Sequence, residues 1–150
     1  MPAKPQRNIL ICLLALLGFG ASCGGGALIL LPSGKLIGGL PLAMLNKTSF
    51  SNLLVQGVLL FLFFGLTSVL FNLTLIKKNE PKLFQKINFF VDMHQSWSFS
   101  IYVAFALVIW IQTEMPIISS VQWSHSLYAA WASFIIFVAL LPPLRNTFIK

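Results

Sequence analysis

The chain has 150 residues, is 57% hydrophobic and only 9% charged, and carries a net charge of +7. Soluble domains average about 45–50% apolar and about 25% charged, so a soluble fold of this length could not hide that much apolar surface, and four spans of about 20 residues leave no room for an aqueous catalytic domain beside them. The excess of cations does not point to nucleic acid, because they stand at the ends of apolar runs and not on one solvated face; anionic lipid headgroups are their expected counterpart.

All charged side chains, 10 Lys or Arg and 3 Asp or Glu, lie outside residues 9–34, 51–76, 93–113 and 115–144. This segregation predicts a single-domain, all-α membrane protein over residues 1–150: a four-transmembrane-helix bundle with spans at about 9–31, 53–76, 97–115 and 127–144, a short apolar outer cap and an amphipathic cytoplasmic connection.

Span 1 follows Lys4 and Arg7. The run Ile9–Phe19 ahead of Gly20-Ala21-Ser22-Cys23 has the outline of a secretory signal. Gly20, however, stands where a lipoprotein cleavage site usually carries Leu, and apolarity continues through Ala27-Leu28-Ile29-Leu30-Leu31, long enough to span. An uncleaved helix is therefore expected. On one helix Cys12 and Cys23 would lie about 16 Å apart, beyond the roughly 7 Å a disulfide tolerates. Gly20 and Gly24, and likewise Ala21 and Gly25, are four residues apart, so small residues line a face on which another helix can pack closely.

The stretch Pro32–Asn52 opens with turn chemistry, Pro32-Ser33-Gly34, and continues with Gly38-Gly39-Leu40-Pro41. It is too apolar for a free loop and too short to span. An interfacial or re-entrant helix over Leu40–Leu45 is expected, forming the outer cap and carrying Lys35, Asn46 and Lys47. In span 2, Asn72 and Thr74 are polar groups able to bond a neighbouring helix. After Lys77, Pro81 can open a helix in which Leu83, Phe84, Ile87, Phe90 and Val91 recur at spacings of three and four, the pattern of a surface-lying amphipathic helix that runs into span 3. Trp97, Tyr102 and Trp110 toward the ends of span 3, and Trp123, Tyr128 and Trp131 toward the start of span 4, read as interfacial aromatic belts. Pro116 should end or kink span 3.

With both termini cytoplasmic, Lys4, Arg7, Lys77, Lys78, Lys82, Lys86, Arg145 and Lys150 lie inside, and only Lys35 and Lys47 lie outside. The positive-inside rule favours that orientation in a bacterial inner membrane.

Glu114 alone separates the last two charge-free stretches, and an ionisable group at such a position is a candidate functional residue. The alternative is a carboxylate among headgroups at the interface. His125 is expected on the same side, so a Glu114–His125 pair could relay protons or act as general base and acid; it can equally be an interfacial His among belt aromatics. Lys35, Asn46, Lys47, Trp110 and Trp123 are candidate ligand-binding residues around that pair. Asp92 and His94, on the opposite side and two residues apart, face different directions on one helix and read as surface groups. The chain has no Cys-x-x-Cys, no His-Glu-x-x-His and no phosphate-binding Gly-rich loop, so neither a cofactor nor a metal is implied.

At Gly24-Gly25-Gly26 through Gly38-Gly39-Leu40-Pro41-Leu42, at Ser49-Phe50-Ser51-Asn52-Leu53 with Gly57, and again at Trp110-Ile111 with Glu114 and Leu140-Leu141-Pro142-Pro143-Leu144-Arg145, the chain resembles a loose group of uncharacterised bacterial four-span membrane proteins. At the level of fold it is similar to the small bundles called DoxX-like. The resemblance implies the bundle and carries no activity. Two functions fit. The first is a small non-catalytic accessory or scaffold subunit, partnered by the lipid bilayer and by other membrane subunits or further copies of itself. The second is a membrane enzyme or carrier acting on a lipophilic molecule, a quinone or lipid, at an outer-leaflet site. A reporter active only outside the cytoplasm is expected to stay silent when fused after Lys150; an active fusion would overturn the orientation with both termini inside.

Overall fold

The computed structural model describes residues 3–33, 53–77, 82, 86–118 and 123–150. It is an all-α four-helix bundle whose helices α1 (Ala3–Leu30), α2 (Leu54–Lys77), α3 (Gln95–Ile118) and α4 (Trp123–Leu140) are each long and apolar enough to cross a membrane. A short helix α5 (Pro142–Arg145) and a 3₁₀ turn (Asn146–Phe148) follow. The expected outer cap lies outside the described residues, as do Lys35, Asn46 and Lys47 within it.

Each helix buries one stripe and gives the rest to lipid. On α1, Leu10, Leu14, Leu17, Ala21 and Leu28 point inward, while Leu16, Phe19 and Leu30 are exposed. Large exposed side chains of this kind would be a liability in water and are the expected surface in a bilayer. The helices follow one another around a ring: α1 packs along α2, α3 along α4, and α1 also meets α4. α2 meets α3 chiefly through its last segment, Thr67–Lys77.

Contact between α1 and α2 is made by backbone. A methyl group added at Gly25 would lie 2.7 Å from the Phe61 nitrogen and 2.8 Å from the Gly57 oxygen, and one at Gly57 would lie 2.6 Å from the Leu28 Cβ. A methyl group added at Gly65 would lie 2.6 Å from the Ser22 Oγ, and one at Gly18 would lie 3.1 and 3.2 Å from the Val69 and Ser68 side chains. The contact stripe is thus Gly18–Ser22–Gly25, at helical spacings of four and three. Gly25 belongs to it. Ala21 points instead into the core, while a methyl group added at Gly20 or Gly24 would meet the Tyr128 hydroxyl at 3.8 Å or Leu60 at 3.6 Å, ordinary van der Waals distances. Nearly every position from Gly18 to Ala27 is small, so span 1 alone offers several such stripes; the glycines of α2 select one. The helix runs unbroken through Gly24-Gly25-Gly26.

Between Gly57 and the end of the contact, α2 widens into seven residues of π-helix, Leu60–Leu66. At the return to α-helix the Thr67 hydroxyl donates to the Phe63 carbonyl, adding a local partner where the backbone ladder changes register.

Each neighbouring pair in the ring is also tied by a side-chain hydrogen bond. Asn72 Nδ2 donates to the Ile11 carbonyl at 3.1 Å, Ser96 Oγ to Thr74 Oγ1 at 3.3 Å, the Trp97 indole to the Ala139 carbonyl at 2.8 Å, and the Trp131 indole to the Leu13 carbonyl at 3.2 Å. Trp97, expected in an interfacial belt, is only 3% exposed. The C-terminal segment is secured against the residues that lead into α3. Met93 pairs with Ile149 in an antiparallel bridge, the His94 N–H donates to the Phe148 carbonyl at 2.7 Å, and the Lys150 N–H to the Asp92 carbonyl at 2.9 Å.

Three expected boundaries shift. In the connection before span 3, Lys82 is helical and residues 86–94 take turns, so the expected surface helix does not continue into span 3. Asn88 explains this: its side chain donates to the Met93 carbonyl at 3.0 Å and accepts the Phe90 N–H at 3.2 Å, competing with helical bonding. Ile87, Phe90 and Val91 are all exposed, and Phe90 also packs edge-on to Trp97; Leu83 and Phe84 lie outside the described residues. α3 passes through Pro116 to Ile118, because a proline so near a helix end disturbs only the last carbonyls. α4 opens at Trp123, one turn before the expected Leu127.

Replacing Gly57 by Leu is expected to cost about 1–3 kcal/mol of stability, because backbone stands where the side chain must go. Gly26→Ala, which meets open space, should change stability by less than about 0.5 kcal/mol. Thermal unfolding in micelles separates the two; equal stability of the Gly57 variant and the parent would remove the backbone contact as the basis of the α1–α2 pair.

Candidate functional site

At the end of the bundle opposite the termini, the C-terminal turns of α3 stand beside the first turn of α4. Glu114 and His125 therefore face each other across a short connection. His125 Nε2 lies 3.8 Å from Glu114 Oε2, with side chains 6% and 22% exposed respectively. That separation brings the two within ion-pair range but is too long for a direct hydrogen bond. The Trp110 side chain, one turn back on α3, reaches the Glu114 carboxylate.

The pair borders a cavity of about 310 Å³ bounded by all four helices. Leu17, Ala21 and Leu28 form its α1 wall, Leu60 and Phe64 its α2 wall, Leu107 and Trp110 its α3 wall, and Tyr128 closes it from α4. An apolar chamber with a few polar groups at one end is the usual make-up of a small-molecule site, and this volume falls at the lower end of the range of about 300–1,000 Å³. The flanks of the undescribed stretch meet here. The Leu53 N–H donates to the Pro32 carbonyl at 3.1 Å, and Leu53 itself lines the cavity.

Of the candidate residues, Glu114, His125 and Trp110 are brought together. Trp123 stands at the rim and is 78% exposed. Asp92 and His94 lie at the other end of the bundle, where their backbones hold the C-terminal segment. Cys12 and Cys23 are both exposed free thiols. Among the described residues no group of three His, Cys, Asp or Glu side chains gathers to hold a metal ion. Phe64, Tyr128 and Ser124 also line the cavity. Tyr128 has the pattern of a belt aromatic, and nothing in the sequence sets Phe64 apart from the other phenylalanines of span 2.

An imidazole and a carboxylate 3.8 Å apart can hold or pass a proton. The gap also fits one further atom, since an oxygen about 2.8 Å from both nitrogen and oxygen closes a triangle on that base. A hydroxyl or a water placed there would bond to both side chains, and a carbonyl would accept from the imidazole.

No protein-family model matches the chain, and no curated protein or solved structure does so either.

A carbodiimide that partitions into lipid is expected to label Glu114 in membranes, because this carboxylate opens on an apolar chamber, whereas exposed Asp92 is reached from water. Peptide mass analysis reads the site of the adduct. Equal labelling of Asp92 by the lipophilic and the water-soluble reagent, with none at Glu114, would place the carboxylate outside the apolar environment.

Proposed function

We propose that this four-span membrane protein binds a lipophilic molecule in the cavity at the Glu114 end of the bundle, as a carrier of that molecule or an enzyme acting on it. One observation carries the reading: the two ionisable candidates converge on an apolar chamber at 3.8 Å instead of pointing separately to water. The chamber would take the apolar body of the molecule, and Glu114 and His125 its polar end. The positive-inside orientation puts this end of the bundle at the outer leaflet of the membrane.

The alternative, a non-catalytic accessory or scaffold subunit held by helix packing, rests on the small aqueous mass, the small-residue packing faces and the lack of a complete catalytic set in the sequence. The closest of those contacts, around Gly25, Gly57 and Gly65, are used between α1 and α2 of the same chain, which leaves less of that argument for an external partner.

Native mass spectrometry of protein extracted in mild detergent tests the proposal. The parent chain is expected to retain a lipophilic adduct, and His125→Leu to retain it about tenfold less, as expected for loss of a hydrogen bond to a polar head in an apolar site. An adduct as fully occupied in His125→Leu and Glu114→Gln as in the parent would overturn the assignment of the polar end; a parent chain that carries and takes up none would overturn the binding function.

A further inference from the structure

A second volume adjoins the first. Where the π-helical segment of α2 draws away from α3, the two helices leave a groove of about 440 Å³. It runs along α3 from Phe99 to Thr113, fourteen residues or about 21 Å at helical rise, which exceeds the roughly 15 Å depth of one leaflet's hydrocarbon. Aromatic and aliphatic side chains form most of its walls. Its three hydroxyls are already engaged with backbone: Thr67 with the Phe63 carbonyl, Thr113 with the Ile109 carbonyl at 2.8 Å, and Tyr102 with the Phe89 N–H at 2.9 Å. The groove therefore offers a guest hydrocarbon contact.

Phe64 and Trp110 line both the groove and the cavity. Their rings stand 6.1 Å apart at 55°, a tilted contact across the boundary between the two volumes. Each volume is completed by the other. The cavity has polar groups at one end and is small for a long-chain molecule; the groove has length and apolar walls and lacks a polar anchor.

Resting on the function proposed above, we infer that cavity and groove form one site for a prenyl-quinone-type molecule, with its ring at Glu114–His125 and its tail crossing the Phe64–Trp110 boundary into the groove between α2 and α3. Three features select this class. A carboxylate at the polar end repels a phosphate head, which disfavours an anionic phospholipid. The 3.8 Å gap accepts a single ring oxygen, to which imidazole donates as to a carbonyl and from which the carboxylate accepts as from a hydroxyl. The single groove accommodates one chain and not two.

Two probes test the inference in micelles, decylubiquinone and its tail-less ring analogue, each followed by quenching of tryptophan fluorescence. Ala106 is an exposed wall residue of the groove, so Ala106→Phe fills the groove from the lipid side without entering the packed core, and retained helicity and unfolding temperature check its folding. Ala106→Phe is expected to lower the preference for the tailed over the tail-less probe about tenfold, the equivalent of about two buried methylenes. His125→Leu should weaken both probes. An unchanged preference in Ala106→Phe would overturn the tail path while leaving the head site standing. Undiminished binding of both probes in His125→Leu would instead overturn the head site. Equal displacement of the tailed probe by a diacyl phosphatidylglycerol would overturn the quinone class in favour of a phospholipid.

Discussion

The approach of α1 to α2 at Gly25 and Gly57 sets the shape of everything else. In a bilayer, apolar side chains gain little by leaving lipid for one another, so helices are held by close packing and by polar ties. At this contact the backbones come so near that a single methyl group on either side would overlap its neighbour. α1 and α2 thus form one slab, α3 and α4 a second, and the slabs are joined at their margins.

Those margins are unequal. The ties from Asn72, Ser96, Trp97 and Trp131 lie at or toward the end that carries both termini, and the Met93–Ile149 bridge closes that end. At the opposite end α2 is committed to α1 through its π-helical turns and Gly65, so it cannot also follow α3. Cavity and groove are the space this leaves. A chain with so little aqueous mass has to place any chemistry within the membrane plane, and among the described residues the cavity beside Glu114 and His125 offers such space.

Charge segregation alone made the four spans readable, since few folds keep charged side chains out of such long stretches. The pairing of Glu114 with His125 could also be anticipated, because two ionisable residues flanking a short connection between antiparallel helices must end near each other. What lies between the helices was not readable. Trp97 and Trp131 satisfy the pattern of interfacial aromatics, yet their indole N–H groups bond carbonyls of neighbouring helices; an amphipathic ring suits either setting. The stripe at Gly18–Ser22–Gly25 was hidden among equivalent small residues until α2 supplied the partner glycines. The turn at Asn88 overrode an apolar periodicity because side-chain amides bond backbone as readily as a helix does.

The cavity was the least readable feature because it is produced by contacts that are missing. Phe64 illustrates this. In sequence it is one aromatic in a run of Leu and Phe. In the bundle it sits in the π-helical segment, 6.1 Å from Trp110, on the wall shared by both volumes. A regular α-helix through Leu60–Leu66 would turn about 100° per residue; the wider π turn shifts the direction of every side chain after it, and so changes which of them meet α3. The polar end of the site rests on two residues that their positions single out. Its apolar body rests on where one helix changes pitch, and that is decided by the neighbour it packs against.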